Sequence, residues 1–327
     1  MAVRSPPRID WAPDDTALVS YRARTVQLHD TTGHATRELA HERVYDVRWC
    51  DDGHIVVLDD RGSVTFTRDG AIAKQTNYRT GLVAPQAASL SGDGARYVAM
   101  TDREIFAVQL GGAARRDHPE QIWTFHARSY GVSLGDRSDQ IAIEMSPNGE
   151  LVAIGFTSQE GIGGRIGRGW LVIELATDQF LQRAWIKPET RVGRAQVFAF
   201  DVAGKRLAHA VPDLGETWGV TCLDADGIAP DAFARTVPGG AHAVALDRGG
   251  QLAAYAYPKT PPGARGRLRV DYLSPAQATS GSGTVDVLDT LSIDPELPDV
   301  VAVAFSRDSR QLACLASTGT IEIVPVP

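Results

Sequence analysis

One arrangement of residues occurs seven times along this chain of 327 residues. Each copy has an apolar or aromatic anchor residue, then a short turn rich in Ser, Asp and Gly, then a second apolar run, as in FSRDSRQLACLAS from Phe305. The anchors are Trp11, Trp49, Leu90, Met145, Phe200, Leu246 and Phe305. An internal repeat constrains the fold more strongly than any single motif does, because each copy must form the same supersecondary unit.

Each repeat predicts an antiparallel sheet. The anchor ends an alternating stretch such as VYDVRW or VVAVAF, so a strand, a tight turn and a second strand are expected. A third strand-like stretch follows in every repeat, and a fourth in the first six. Successive anchors are 38 to 59 residues apart, against about 40 to 50 residues for a four-stranded propeller blade. We therefore predict an all-β chain that forms one seven-bladed β-propeller domain over residues 1–327, with antiparallel four-stranded blades.

The repeats resemble the WD-repeat family of seven-bladed β-propellers in a divergent, bacterial form. The hairpins, MSPNGELVAIGF above all, are similar to the first two strands of that family's repeat. In the second repeat, LAHERVYDVRW followed by DDRGSV is similar to the family's His before the first strand and its Asp before the third. The resemblance implies that His41 and Asp60 form the buried structural hydrogen bond typical of such repeats.

The resemblance also implies that the N-terminus supplies the outermost strand of the last blade. Only a stub, Met1 to Ser5, is in place for this, so we expect the last blade to be three-stranded or partly closed. Pro325 and Pro327 are two residues apart and should direct their missing amide hydrogens to the same, outward side. Glu322 and Val324 would then bond to the strand QLACLA. Such an edge is a second place where a partner's strand could be added.

The turns between the second and third strands are long in three consecutive repeats. They are SQEGIGGRIGRG from Ser158, VPDLGET from Val211 and PKTPPGARG from Pro258. Loops on a rigid scaffold often carry recognition residues, and arginine and aromatic residues are enriched in interaction hot spots. The predicted partner-binding patch consists of Arg165, Arg168, Trp170, Trp218, Tyr257, Lys259, Arg265 and Arg267. Its basic character favours a protein partner with an acidic surface; the alternative is that these loops are solvated and bind nothing.

Charged residues stand just before the anchor in three of the first four repeats: Asp10, Arg48 and Glu144. The first strands of a propeller lie nearest its axis, so Asp10 and Arg48, from adjacent blades, are predicted to form a structural ion pair. The functional alternative is a ligand or ion held in the central channel by Asp10 and Glu144.

Three local motifs do not carry the chemistry that they suggest. GIGGRIGRG has Ile166 where a dinucleotide fingerprint needs Gly, and it lacks the Gly-Lys of a P-loop. GVSLG around Ser133 matches a nucleophile elbow, but a loop and a strand follow it instead of a helix. The eight His residues have no spacing typical of metal ligands. We therefore expect no catalytic constellation, no cofactor and no metal.

The composition limits the class of protein and the cellular compartment that are expected. A net charge of -7 argues against a nucleic-acid binder, which needs a basic surface. The longest apolar runs are too short to cross a bilayer, and the three cysteines are scattered, as in a reducing compartment. A cytoplasmic protein from a GC-rich bacterial genome is expected.

Three functions are compatible with these observations. The leading hypothesis is a non-catalytic scaffold or recognition and regulatory module that binds a partner protein through the long loops of blades 4 to 6. The alternatives are a propeller-type enzyme, such as a lactonase, lyase or hydrolase, with its site at the channel, and a sensory subunit of a larger effector assembly. Fold alone does not decide between them.

Overall fold

The computed structural model describes residues 7–22, 24–40, 43–77, 85, 87–101, 104–110, 120–125, 142–161, 165–186, 197–210, 218–223, 241–257, 267–274, 285, 287–297 and 299–327. The regular elements within these ranges are strands β1 to β26. They form seven antiparallel sheets, of which five have four strands and two have three. Within each sheet the strands follow chain order, so each strand pairs with the next one along the chain.

The first four sheets are four-stranded. Sheet 1 contains β1 (Arg8–Trp11), β2 (Ala17–Arg22), β3 (Thr25–Asp30) and β4 (Ala35–Ala40). Sheet 2 contains β5 (Asp46–Trp49), β6 (Ile55–Leu58), β7 (Gly62–Phe66) and β8 (Ile72–Asn77). Sheet 3 contains β9 (Ala87–Leu90), β10 (Arg96–Met100), β11 (Ile105–Gln109) and β12 (Glu120–Phe125). Sheet 4 contains β13 (Ala142–Met145), β14 (Leu151–Gly161), β15 (Arg165–Glu174) and β16 (Gln179–Ile186).

The remaining sheets include the two with three described strands. Sheet 5 contains β17 (Val197–Phe200), β18 (Arg206–Ala210) and β19 (Trp218–Cys222). Sheet 6 contains β20 (Ala243–Leu246), β21 (Leu252–Tyr257), β22 (Arg267–Leu273) and β23 (Val287–Ile293). Sheet 7 contains β24 (Val300–Phe305), β25 (Gln311–Ala316) and β26 (Ile321–Pro325).

The first strands of the sheets form a ring. They pack against one another in the order β1, β5, β9, β13, β17, β20 and β24, and β24 packs against β1. Each anchor residue is the last residue of its first strand. A radial arrangement of antiparallel sheets around a central axis is a β-propeller, so the predicted all-β propeller with antiparallel four-stranded blades is confirmed.

A residue with a left-handed backbone occupies the same place in every first turn, four positions after the anchor. These residues are Asp15, Gly53, Gly94, Gly149, Gly204, Gly250 and Ser309, with φ between 57° and 82°. Glycine adopts this conformation without a steric penalty, and the sharp reversal that it permits joins the first strand to the second. The turn chemistry is thus repeated along the chain together with the apolar anchors.

The hydrophobic core consists of separate clusters, one between each pair of neighbouring sheets. At the junction of sheets 7 and 1, for example, Trp11 and Leu18 pack with Leu315 and Ile321. Trp11 is fully buried, and its indole Nε1 donates a hydrogen bond to the Ala304 carbonyl at 3.0 Å. Because each sheet is covered on both faces, the central strands are buried on both sides.

The edge of sheet 7 has the predicted orientation. Val324 lies opposite Leu312, Glu322 lies opposite Cys314, and the Val326 amide donates to the Arg310 carbonyl at 2.8 Å. Alternate residues of a strand direct their amides to the same side, so Glu322 and Val324 bond to β25. Pro325 and Pro327 therefore direct their amide nitrogens outward. The expectation for Met1 to Ser5 concerns residues outside the described ranges.

Candidate functional site

Charged side chains from three first strands meet at the centre of the ring. Arg8 Nη1 donates to Glu144 Oε1 at 3.1 Å, and Arg8 Nη2 bonds to Glu144 Oε2. Arg48 Nη2 also donates to Glu144 Oε1. These residues lie on β1, β5 and β13, which belong to sheets 1, 2 and 4. One buried carboxylate therefore joins sheets that are not all neighbours in the ring.

Asp46 completes this ion-pair network. Its side chain is fully buried, and its carboxylate oxygens lie 3.3 Å from Arg8 Nε and 3.6 Å from Arg48 Nε. Burial alone would lower the pKa of the Arg48 guanidinium, but the carboxylates of Asp46 and Glu144 raise it above its usual value. The pKa of Arg8 is raised in the same way: burial opposes the shift, and the same two carboxylates outweigh it. Both guanidiniums thus remain charged and paired.

Asp10 has a different role from the one predicted. Its Oδ1 accepts from the Trp11 amide at 3.0 Å and its Oδ2 from the Trp49 amide at 2.9 Å. Burial raises the pKa of its carboxyl group, and the nearby Arg48 charge opposes that shift. Asp10 and Arg48 therefore interact through their charges, whereas the close ion pairs of Arg48 are with Asp46 and Glu144.

The bond from Asp10 to the next sheet is one of a series. Asp46 Oδ2 accepts from the Leu90 amide at 2.8 Å, and Ser89 Oγ accepts from the Met145 amide at 3.1 Å. Polar side chains of β1, β5 and β9 thus bind the anchor of the following sheet. The sequence analysis missed Arg8, Asp46 and Ser89, although a polar residue within a short first strand was a usable signal for Asp46 and Ser89.

The carboxylates of this central network are already engaged by other groups of the protein. A general acid or base must reach a substrate with its titratable group, whereas Glu144 and Asp46 already accept bonds from guanidinium or backbone donors. Within the described ranges no group of three or more His, Cys, Asp or Glu could hold a metal ion. The geometry provides hydrogen bonds and ion pairs that connect sheets 1, 2, 3 and 4.

The long second turn of sheet 4 is a hairpin, which corrects the prediction of a loop. Strands β14 and β15 pair from Leu151 with Glu174 out to Gly161 with Arg165. Within the described residues, the first strand, β13, pairs with β14 as far as Gly155, and the β14–β15 pairing continues beyond that point. Paired strands therefore occupy most of the segment that the sequence suggested was a loop.

The patch residues of sheet 4 occupy different parts of β15. Arg165 and Arg168 lie on the extended part of β15, where Arg168 is opposite Thr157. Trp170, by contrast, is 2% exposed and belongs to the core between sheets 4 and 5. Its ring centroid lies 5.0 Å from that of His209, and burial lowers the pKa of His209 to about 4. Trp170 is a core residue, contrary to its predicted role as a partner contact.

The other predicted residues have mixed positions. Trp218 begins β19 opposite Ala210, and Arg267 begins β22 opposite Tyr257. Tyr257 is buried between sheets 5 and 6, so it too belongs to the core. Lys259 and Arg265 lie outside the described ranges.

The predicted structural pair in sheet 2 is described only in part. His41 lies outside the described ranges. Asp60 Oδ2 lies 3.3 Å from Arg43 Nη1, in an ion pair at the surface of sheet 2. The hydrogen bond implied for His41 and Asp60 therefore stays a prediction.

The fold is similar to that of solved protein structures. Over the described residues no helix is long and apolar enough to cross a membrane. No protein-family model and no curated protein matches the sequence. The β-propeller domain of Cps50 (Swd1) from Myceliophteria thermophila is similar with a TM-score of 0.60 and 12% identity, over 99% of this chain and 97% of that chain. A chain of the mitotic checkpoint complex is similar with a TM-score of 0.62 and 12% identity, over 97% of this chain and 86% of that chain. The protein therefore shares the β-propeller fold of the Cps50 domain.

Proposed function

We propose that this protein is a non-catalytic propeller that binds another protein through the face bearing the second turns of sheets 4, 5 and 6. The observation that carries the proposal is the β14–β15 hairpin, which continues past Gly155, the last residue of β14 that pairs with β13 within the described residues. A paired hairpin loses less conformational entropy on binding than a free loop does, so it is a suitable recognition element.

Charge and position support a protein partner with an acidic surface. Arg165 and Arg168 lie on the projecting part of β15, and the equivalent turns of sheets 5 and 6 contribute Trp218, Lys259, Arg265 and Arg267. The whole chain carries a net charge of -7, so a locally basic face would orient an acidic partner during encounter. Trp170 and Tyr257 support the base of this face from the core.

An enzymatic function receives less support. The carboxylate of Glu144, which an active site in the channel would use, is paired with two guanidiniums from other sheets. A residue that joins three sheets is poorly placed to exchange protons with a substrate. One structural neighbour is a chain of the mitotic checkpoint complex, and propellers of this kind typically serve as scaffold or interaction modules.

The blade number and the location belong to the same proposal. We propose seven blades, one for each sheet. The seven first strands that succeed one another around the ring and the seven first turns with a left-handed residue support this number. We further propose a cytoplasmic, bacterial protein that needs no cofactor.

Charge reversal on the hairpin tests the proposal. Arg165→Glu with Arg168→Glu should reduce recovery of bound proteins from a native lysate by about tenfold, as expected when hot-spot residues are lost. The matched control is Lys74→Glu with Arg310→Glu, which changes the net charge equally at exposed positions on sheets 2 and 7. Quantitative mass spectrometry of cross-linked complexes gives the readout.

A second variant tests whether binding requires the hairpin itself or only its positive charge. Replacing residues 157–168 by Asn-Gly should leave a two-residue hairpin on an intact sheet 4 and should abolish capture. Capture of the same proteins in the same amounts by the parent and by both hairpin variants would exclude this face as the binding surface.

A further inference from the structure

The first turn of a sheet lies against the first turn of the sheet before it. A Cβ atom added at Gly204 would lie 3.2 Å from Asn148 Nδ2, and one added at Gly250 would lie 3.3 Å from Asp201 Cβ. Both glycines are the left-handed residues of their turns. In these two turns the position four residues after the anchor therefore borders the preceding sheet, and a side chain placed there would contact it, whereas a Cβ at the equivalent Gly53 would meet nothing within 4 Å.

Two of the seven left-handed residues are not glycine, and they occur in sheets 1 and 7. Asp15 has φ 57° and Ser309 has φ 62°. This backbone region is unfavourable for residues with a Cβ atom, although Asp tolerates it better than most. The sheets that carry these two residues adjoin at the junction where the chain returns to its beginning.

The side chain of Asp15 reaches the turn of the last sheet. Its Oδ1 accepts from the Arg307 amide at 2.6 Å, and its Oδ2 accepts from the Asp308 amide at 3.2 Å. Two successive backbone amides directed at one carboxylate form an anion-binding nest. In the same way Ser309 Oγ donates to Asp247 Oδ2 of sheet 6 at 3.0 Å.

The remaining contacts at this junction are mainly apolar. Trp11 and Leu18 of sheet 1 pack against Leu315 and Ile321 of sheet 7. Closing this junction brings together residues 292 apart in sequence, and the entropy cost of closure grows with the length of the chain enclosed. A hydrogen bond to a charged carboxylate is stronger than a neutral one, so Asp15 adds two stronger hydrogen bonds to the apolar packing and to the neutral bond from Trp11 Nε1 to the Ala304 carbonyl.

We propose that Asp15 is a latch that holds the first and last sheets together, with its carboxylate filling an anion-binding pair of amides in the last turn. The latch is independent of the proposed partner-binding face. It lies on the turns between first and second strands, at the opposite end of the second strands from the β14–β15 hairpin.

Hydrogen exchange measured by mass spectrometry tests the latch. Asp15→Gly keeps the left-handed backbone and removes the carboxylate, so exchange in β1 and β24 to β26 should rise by about tenfold, since bonds to a charged group are lost. Sheet 4 should be unchanged. Ser309→Gly is the matched control: it makes the same backbone change but loses a single bond to sheet 6, so β1 should be unaffected.

Formate provides a second readout. In Asp15→Gly, formate can occupy the two vacant amides and should restore protection in β24, whereas chloride at the same ionic strength should not. Should that variant fail to fold, Asp15→Asn retains one acceptor oxygen and should show a smaller rise in exchange at the same strands. Unchanged exchange at the junction, or an equal rise in sheet 4, would overturn the latch; equal effects of formate and chloride would overturn the anion-binding assignment.

Discussion

Replacing Glu144 by glutamine measures what the central ion pairs contribute to stability. The Glu144 side chain is 7% exposed, while those of Arg8 and Arg48 are 19% and 21% exposed. Glutamine has nearly the same volume, so packing is preserved. The substitution removes the charge and directs an amide group at two guanidiniums whose side chains are largely buried.

The expected loss follows from burial. Removing one partner of a buried ion pair costs about 3 to 5 kcal/mol, because the other charge is left uncompensated. The partial exposure of both arginines and the remaining carboxylate of Asp46 reduce that penalty, so we expect a loss of about 3 kcal/mol in the free energy of unfolding. Screening should be weak, because partly buried pairs are less sensitive to salt than surface pairs are.

Urea denaturation at neutral pH, followed by tryptophan fluorescence, gives the free energy of unfolding. The matched control is Glu150→Gln in the first turn of the same sheet, where an exposed carboxylate should contribute less than about 0.5 kcal/mol. Combining Glu144→Gln with Arg8→Met should cost less than the sum of the single changes, because the two residues interact directly.

A loss no greater than that of the control would refute the structural role of Glu144. A Glu144→Gln variant more stable than the parent would go further, because functional sites hold charges that stability alone would not retain. That result would favour an enzyme or a ligand site in the channel over the proposed scaffold.

Three further predictions concern buried positions. Burial lowers the pKa of His209 from 6.5 to about 4, so the unfolded chain binds more protons than the folded protein does between these pH values. The free energy of unfolding should therefore fall by roughly 3 kcal/mol from above pH 6.5 to pH 4. Urea titrations at several pH values should show a smaller fall for His209→Leu. Gly94→Ala should lower the free energy of unfolding by about 1 to 3 kcal/mol more than Gly53→Ala does, as measured by thermal melts. Both glycines have positive φ, but only a Cβ at Gly94 would lie 2.7 Å from Cys50 Sγ. Equal losses of stability in the two variants would contradict this prediction. Burial raises the pKa of Cys50 and Cys314 to about 12. In a Cys222→Ser variant, thiol labelling of the native protein should therefore be at least about 1,000-fold slower than labelling in urea. Rapid labelling of the native protein would contradict this prediction.

The repeat was sufficient to predict the architecture. Every anchor, from Trp11 to Phe305, ends a first strand, because an apolar residue followed by a turn signal marks both the end of a strand and the start of the reversal. The left-handed residue four positions later is Gly in five of the seven turns. Local pattern and turn chemistry agree in each repeat, which is why these boundaries could be placed without tertiary information.

The exposure of single side chains was less predictable. Trp170 stands near a turn in the sequence, but it lies opposite Gly155 and packs on His209. In a sheet with one exposed face, alternation would distinguish core from surface. In a propeller both faces of each sheet are covered by neighbouring sheets, so alternation no longer reports exposure. The apolar run WLVIEL, which begins at Trp170, was the available signal.

The partners of charged residues were the least predictable feature. Arg8 and Glu144 are separated by 136 residues, and their contact depends on the diameter of the ring and on the direction of three first strands. A sequence read repeat by repeat suggests pairs from adjacent blades, such as Asp10 and Arg48. The structure instead joins sheets 1, 2 and 4, a result that follows only when the whole ring is closed.

The first and second turns of the sheets are under different constraints, and this difference supports the proposed binding face. A side chain added at Gly94 would collide with the preceding sheet, since a Cβ there would lie 2.7 Å from Cys50 Sγ, and Cβ atoms at Gly204 and Gly250 would also lie close to the sheets before them. These first turns therefore have little room for added residues, although a Cβ at Gly53 would meet nothing within 4 Å. The hairpin of β14 and β15 continues past Gly155 without losing the pairing of β13 to β14 below it. Because elaboration at the first turns would weaken the ring, new recognition elements can be added at lower cost at the second turns, where the long hairpin is found.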